Sequence, residues 1–536
     1  MSFEFETSNL TGCLILLAVL LLYLHWSFTS TDIGRIKGIP EIPHALPFVG
    51  HLLLLGEDHA STCENLWHRY KHSVFQIRLG NTRAIVVNSF EDCRRMLIGH
   101  QSNIIDRPTL YTFHGVISST QGLTIGSSPW DESCKRKRTA AAVTLGRRAM
   151  KNYLEMFDFE SYCVIRDIEK DSEFGTVEIS VKPYFQRYAL NTTLTLGYGI
   201  RLDSVYDDML REILDVGSAI SLLRSASENY QDYIPILRYF PNSDKNRRGK
   251  ELRARRDKYL DILLSTVKDM IQQGIDRPCV SSAVLKDVDS KLSSAEVTSI
   301  CLSLVSGGFE SIPGTLVSCI GSLSTLEGQK IQEKAYEDIR RYCPNISEAW
   351  QTSYQEEKVP YVKAIVKEAL RYYTITPMIP PRRTTSELNW NGSIIPAKTM
   401  ILVNAQAANH DTSHFGPTAH KFDPTRWLDA TSPIPIERPS VGLQHLSFGG
   451  GSRACSGSII ANRLLYIALI RLITSYRIVA SEKFPPNTDY IEYNSATSAM
   501  VAIPKDFKVR MIPRDKEGLK KVLADARCRS EHSYKA

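Results

Sequence analysis

Phe448-Gly449-Gly450-Gly451-Ser452-Arg453-Ala454-Cys455-Ser456-Gly457 stands directly ahead of an apolar, helix-patterned run at 459–473. Three consecutive glycines let a backbone turn sharply and come close to a flat ligand. The helix that follows aims its N-terminal amides back at the Cys455 sulfur, a setting expected to favour thiolate over thiol. The plain alternative is a buried structural cysteine beside a turn, which would serve for any other of the chain's 11 cysteines taken alone.

Working outward, Lys367-Glu368-Ala369-Leu370-Arg371 lies in a helical pattern marked by Val362, Ile365, Val366, Ala369 and Leu370. Glu368 and Arg371, three apart, share one helix face. Alone, such a pair reads as a solvated surface bridge of little consequence. Between it and the cysteine loop comes Phe422-Asp423-Pro424-Thr425-Arg426-Trp427. Further upstream, Ser293-Ser294-Ala295-Glu296 has the form of a capping box, opening a helix with Val297, Ile300, Cys301, Leu304 and Val305 at helical spacing. That helix runs into Ser306-Gly307-Gly308-Phe309-Glu310-Ser311-Ile312-Pro313-Gly314. Glycines and a proline there weaken the hydrogen-bond ladder and predict a bend.

The five fixed positions Phe448, Gly451, Arg453, Cys455 and Gly457 resemble the haem-binding loop of the cytochrome P450 family. The resemblance implies a mainly α fold with a smaller β portion, a thiolate-ligated haem b with Cys455 as the metal ligand, and Arg453 on a haem propionate. It also implies that Glu368, Arg371 and Arg426 form a buried triad supporting the loop, the carboxylate bridging two guanidinium forks. Glu310 and Ser311 match the family's acid-alcohol pair for proton delivery, with serine where threonine is usual, so the hydroxyl stays and the methyl that helps fix its rotamer is lost. A second propionate ligand is expected at Arg382, with Arg383 a possible substitute. Trp130 resembles the Trp of the W-x-x-x-R helix, but position 134 is Cys. Lys137 and Arg138, about two turns on, both stand as replacements for the missing Arg.

In this fold the segment before the Trp helix roofs the substrate pocket. This assigns the pocket to Leu110, Tyr111, Phe113, His114 and Val116, with Phe309 and Ile312 on the distal face. His114 is the polar group expected to orient an acidic or phenolic substrate. Each apolar member, taken alone, reads equally as core.

Composition fits one large globular body: 536 residues, 43% hydrophobic, 23% charged, with neither a Gly/Ser-rich linker nor an internal repeat. The net charge of +7 is modest. The basic residues 245–256 and the basic tail from Arg514 carry no nucleic-acid motif, so they read as solvated or membrane-proximal faces. The cysteines lack zinc or disulfide spacing, which favours a reducing compartment. Residues 10–28 have the length of a minimal spanning helix. Glu4 and Glu6 ahead of it argue against a cleaved signal, and Arg35 and Lys37 behind it put the body on the cytosolic side. The expected organisation is an anchor at 1–30, a haem-thiolate domain at 31–513 and a basic tail at 514–536. The stretch 38–50, rich in proline, is a stiff spacer, and Gly80-Asn81 is a hairpin turn between strands at 74–79 and 84–87.

The resemblance spans 38–513. Residues 38–56, 72–80, 189–194 and 307–310 look most like the fungal phenylacetate hydroxylase group. It implies a single-pass endoplasmic reticulum protein that uses O2 and electrons from an NADPH-cytochrome P450 reductase. Such an enzyme would insert one oxygen atom into a small aromatic substrate, an arylacetic acid or a fungal secondary-metabolite intermediate. The alternatives are a haem-thiolate isomerase or dehydratase needing no external electrons, and a non-catalytic haem sensor or carrier.

Overall fold

The computed structural model describes residues 14–19, 21, 30–120, 123–227, 229–240, 244–286, 292–428 and 443–534. The expected anchor lies largely outside these residues; its part at 14–19 is helical and exposed. Two helical stretches among the described residues, Ser294–Ser324 and Ser458–Ser475, are long and apolar enough to span a membrane, but both are mostly buried within the body. A helix that is apolar all round belongs in a core.

The principal helices are α1 (Glu132–Leu145), α2 (Leu154–Ser172), α3 (Lys182–Tyr198), α4 (Asp208–Leu222) and α5 (Asp244–Gln273), followed by α6 (Ser294–Gly308), α7 (Ser311–Ser324), α8 (Pro360–Tyr373), α9 (Ser458–Ser475) and α10 (Lys516–Tyr534). The capping box forms as expected: Ser293 Oγ accepts from the Glu296 amide, and Glu296 accepts from the Ser293 amide. Pro360 sits in the first turn of α8, where a missing N–H is harmless. Helices α6 and α3 approach closely because Gly197 meets Cys301 and Leu304, and Gly308 meets Thr193.

The smaller β portion is a four-stranded sheet in the order β1 (Val74–Leu79), β2 (Thr82–Val87), β4 (Met400–Asn404), β3 (Met378–Arg383), plus two two-stranded pairs. Strands β1 (Val74–Leu79) and β2 (Thr82–Val87) form the expected hairpin around Gly80, whose φ of +54° suits glycine. Strand β2 runs parallel to β4, and β3 pairs antiparallel to β4, with a register shift between Ile379 and Arg382. Alternation along β3 sends Arg382 and Arg383 to opposite faces.

Both basic segments are tied into the body while Arg247, Arg248 and Lys250 stay exposed. In the tail, Leu519, Val522 and Ala526 of α10 belong to the main core cluster. In the basic run on α5, Arg255 pairs with Glu212, Arg256 with Asp257, and Arg253 donates to the Val116 carbonyl. Helical periodicity puts Leu252, Arg256, Tyr259, Leu260 and Leu263 on one buried stripe, with Arg253 and Arg255 along its two edges. The sequon residue Asn191 is fully buried and bonded to Glu160 and the Leu202 carbonyl.

Candidate active site

The cysteine loop folds back on itself. The Cys455 amide donates to the Phe448 carbonyl at 2.9 Å and the Ala454 amide to Gly451 at 2.9 Å. Gly451 has φ +65°, and a Cβ there would collide with the Leu97 carbonyl, so only glycine allows the approach. Cys455 is one of two exposed cysteines among the described residues. The amides of Gly457 and Ser458 and the Arg138 charge favour its thiolate, yet desolvation by the surrounding protein is larger and raises the thiol pKa. The helix N-terminus thus acts in the expected direction, but it does not by itself outweigh burial to give a thiolate. A cationic metal at the sulfur would, since coordination deprotonates a thiol outright.

The expected triad is present and fully formed. Arg371 donates to both oxygens of Glu368, at 2.9 and 2.7 Å, and Arg426 Nε donates to Oε1 at 3.1 Å. The Trp427 indole donates to Oε2 at 2.9 Å and the Asp423 amide to Oε1 at 2.9 Å. Arg371 also donates to the carbonyls of Asn409 and Ala419, each at 2.8 Å. From there Asn409 reaches the cysteine loop, accepting from the Leu446 amide at 2.8 Å and donating to Ser447 Oγ at 3.2 Å. Asn409 is the link that sequence reasoning missed. Nothing in the local pattern around it signals a contact 37 residues away.

On the other side of the loop, cations converge without carboxylates among the described residues. Arg382 is buried and donates to the Gly450 carbonyl at 3.2 Å, its Nε unpaired. Burial, then the fields of Arg453 and Arg138, depress it to about 9. Arg453 donates to the Ser128 carbonyl at 2.7 Å and to Cys134 Sγ at 3.0 Å, its Nε also unpaired, with its guanidinium 5.7 Å from the Trp130 ring centroid. Arg383 is excluded from this cluster because it pairs with Asp106 at 2.5 Å. The two replacements for the missing Arg separate as well. Lys137 turns to Ser128 Oγ, Ser299 Oγ and the Leu123 carbonyl, while Arg138 reaches the Ala454 carbonyl at 3.1 Å. Successive helical residues differ by about 100°, which sends neighbours to different surroundings. A flat group bearing two carboxylates and a cationic metal answers both features, the clustered guanidiniums and a sulfur that is open to a ligand yet desolvated by the surrounding protein. Cys455, Arg382, Arg453 and Arg138 are the residues that fit it.

The long apolar helix breaks where expected, between α6 and α7 at Phe309 and Glu310. The acid and the alcohol there point to different partners. Ser311 Oγ donates back to the Gly307 carbonyl at 2.6 Å, whereas Glu310 Oε1 accepts from Ser218 Oγ on α4 at 2.8 Å. Burial raises Glu310 from the ordinary 4.5 to about 6, against the opposing hydrogen bonds of Ser218 and Ser221 and the charge of Arg224. The folded state therefore holds an extra proton between these values. That contribution is full below 4.5 and lost as pH rises through about 6, a change of ~2 kcal/mol. Glu310→Gln should flatten it, so the Tm of the parent protein should fall relative to the variant between pH 4.5 and 7. Parallel Tm profiles would contradict this.

A cavity is lined by Leu110, Phe113, His114, Arg107, Arg224, Gly126, Pro380, Pro381 and Met500, with Asp58 also on its wall. Leu110, Phe113 and His114 thus lie where the pocket was expected. Tyr111 instead lies under Arg238, and Val116 is buried and accepts from Arg253. Phe309 packs its ring onto Gly217 of α4, and Ile312 joins the main core cluster. His114 is not free to orient an acid: Nδ1 accepts from the Leu110 amide at 2.9 Å, Nε2 lies 3.2 Å from the Ser127 carbonyl, and burial lowers its pKa. It is a neutral brace for the pocket roof. Arg224, in a segment without any motif, supplies cationic character in its place.

A family model described as "Cytochrome P450" matches residues 40–509. Among curated proteins, phenylacetate 2-hydroxylase of Emericella nidulans is 45% identical over 508 residues, covering 94% of this chain and 96% of that protein. The 3-hydroxyphenylacetate 6-hydroxylase of the same organism is 35% identical, covering 95% of each. A cytochrome P450 monooxygenase of Mycosarcoma maydis is 34% identical, covering 90% of this chain and 88% of its own length.

Proposed function

Because the chain belongs to the cytochrome P450 family, whose members carry thiolate-ligated haem iron, we propose that this monooxygenase hydroxylates a small aromatic acid of the arylacetate class. The observation that carries the reading is the likeness, over nearly the whole chain, to a phenylacetate 2-hydroxylase. The haem, when bound, supplies dioxygen activation. The chain's own work is to hold the sulfur, anchor the carboxylates, bind substrate and manage protons. Glu310, raised to about 6, can hold or release a proton near neutral pH. Ser311 Oγ, bonded to the Gly307 carbonyl at the helix break, offers a second proton-carrying group.

The reading includes an anchor at 1–30 in the endoplasmic reticulum membrane, a cytosolic body and an NADPH-cytochrome P450 reductase as electron donor. Supporting it, exposed Leu46, Phe48, Leu53 and Leu54 and exposed Ile236, Leu237, Tyr239 and Phe240 flank the β1–β2 turn. Gly80 donates to the Val49 carbonyl and Asn81 to the Tyr233 carbonyl. Exposed apolar side chains on the two segments that meet this turn suit a lipid surface. The ten cysteines among the described residues form no disulfide with one another, which suits a reducing compartment.

The test is product analysis of haem-loaded protein with a panel of arylacetic acids, with and without NADPH and reductase. A ring-hydroxylated acid that forms only in the complete system is the expected result. Conversion without electrons would favour an isomerase or dehydratase, and no product from any acid would sink the arylacetate reading.

A further inference from the structure

Arg224 follows the C-terminal end of α4, just past Leu223. Its guanidinium carbon lies 4.1 Å from the centroid of the Phe113 ring, and both residues line the cavity described above. Among the described residues its side chain makes neither a hydrogen bond nor an ion pair. The other arginines nearby are differently placed. Arg107 donates to the carbonyls of Gly126, Pro380 and Pro381, Arg383 to Asp106, and Arg453 to Ser128. Burial pushes Arg224 down to about 10, relieved only by the field of Glu310, whose own carboxylate is bonded to Ser218. Held against the Phe113 ring and bordering the cavity, the guanidinium keeps its N–H donors for a ligand there, and an aromatic anion matches both the charge and the aromatic wall.

We propose that Arg224 binds the carboxylate of the substrate and so selects aromatic acids over their neutral counterparts; this rests on the arylacetate reading above. An arylacetate is ionised at neutral pH. A guanidinium takes a carboxylate through two parallel hydrogen bonds, while the ring of Phe113 supplies apolar area for the arene. His114, neutral and braced by backbone at both nitrogens, cannot take this role. The remaining use for Arg224 is as a distant counter-charge to Glu310, which would act on every substrate alike.

Spectral titration of haem-loaded protein separates these cases, with phenylacetate and phenylacetamide as probes of equal shape and different charge. Arg224→Met should weaken phenylacetate binding by about 10–100-fold, the scale of a charge-assisted pair. Phenylacetamide binding should change by less than about threefold, and Arg224→Lys should recover part of the acid affinity. The reduced carbon monoxide spectrum reports haem loading in each variant; if the Met variant fails to load haem, Arg224→Gln and Arg224→Lys carry the comparison. Equal losses for both probes, or an unchanged affinity for the acid, would overturn the proposal. A parent enzyme that binds neither probe would overturn the arylacetate reading itself, a result visible before any substitution is made.

Discussion

Glu368→Gln should leave little haem-loaded protein and lower the Tm by several degrees. The carboxylate accepts from Arg371, Arg426, Trp427 and the Asp423 amide, and both it and Arg371 are wholly buried. Removing its charge leaves two guanidiniums facing a neutral amide whose NH2 group cannot accept from them. Breaking a buried ionic pair on one side costs about 3–5 kcal/mol, a large share of the roughly 5–15 kcal/mol that holds a domain folded. The damage should be felt at the sulfur because Arg371 holds the Asn409 carbonyl, and Asn409 holds Leu446 and Ser447 at the root of the loop. Thermal unfolding and haem-to-protein ratio are the measurements. A variant that loads haem normally and melts within a degree of the parent would show that the triad does not support the loop.

Cys455→Ala should abolish the red-shifted Soret band of the reduced carbon monoxide complex and, with it, product formation. Loss of an outer partner of a metal ligand already costs about 10–100-fold in affinity or activity; loss of the ligand should exceed that. Cys528→Ser, at the other exposed cysteine, is the control and should keep the band. A Cys455→Ala protein with the band intact would remove the basis for the ligand assignment.

Elements that depend on short-range pattern were legible. The capping box at Ser293 and Glu296, the helix break at Phe309 and Glu310, and the hairpin at Gly80 all depend on residues a few positions apart. The triad was legible only through resemblance, because the spacing of Glu368 and Arg371 is shared with countless surface pairs. What distinguishes this pair is burial and the arrival of Arg426 and Trp427 from a distant segment.

Other assignments could not be read without the packing. Lys137 and Arg138 are adjacent and alike in charge, yet only Arg138 turns to the cysteine loop. Phe309 is an apolar residue at the right helical position, but it packs on Gly217 instead of facing the cavity beside Phe113. His114 has the right chemistry to meet an acid, but backbone groups on both sides occupy its ring. Arg224 carries no motif at all.

The sequence by itself determined the family, the cysteine loop proposed to hold the metal and the helical class, because a glycine-rich turn, a capping box and an apolar period are written in neighbouring residues. Tertiary structure alone decided which arginines meet carboxylates, which meet carbonyls and which is left facing the cavity. It also decided that the Cys455 thiol is raised rather than lowered. Those outcomes depend on desolvation and on partners brought from segments tens to hundreds of residues away, and no local pattern encodes either.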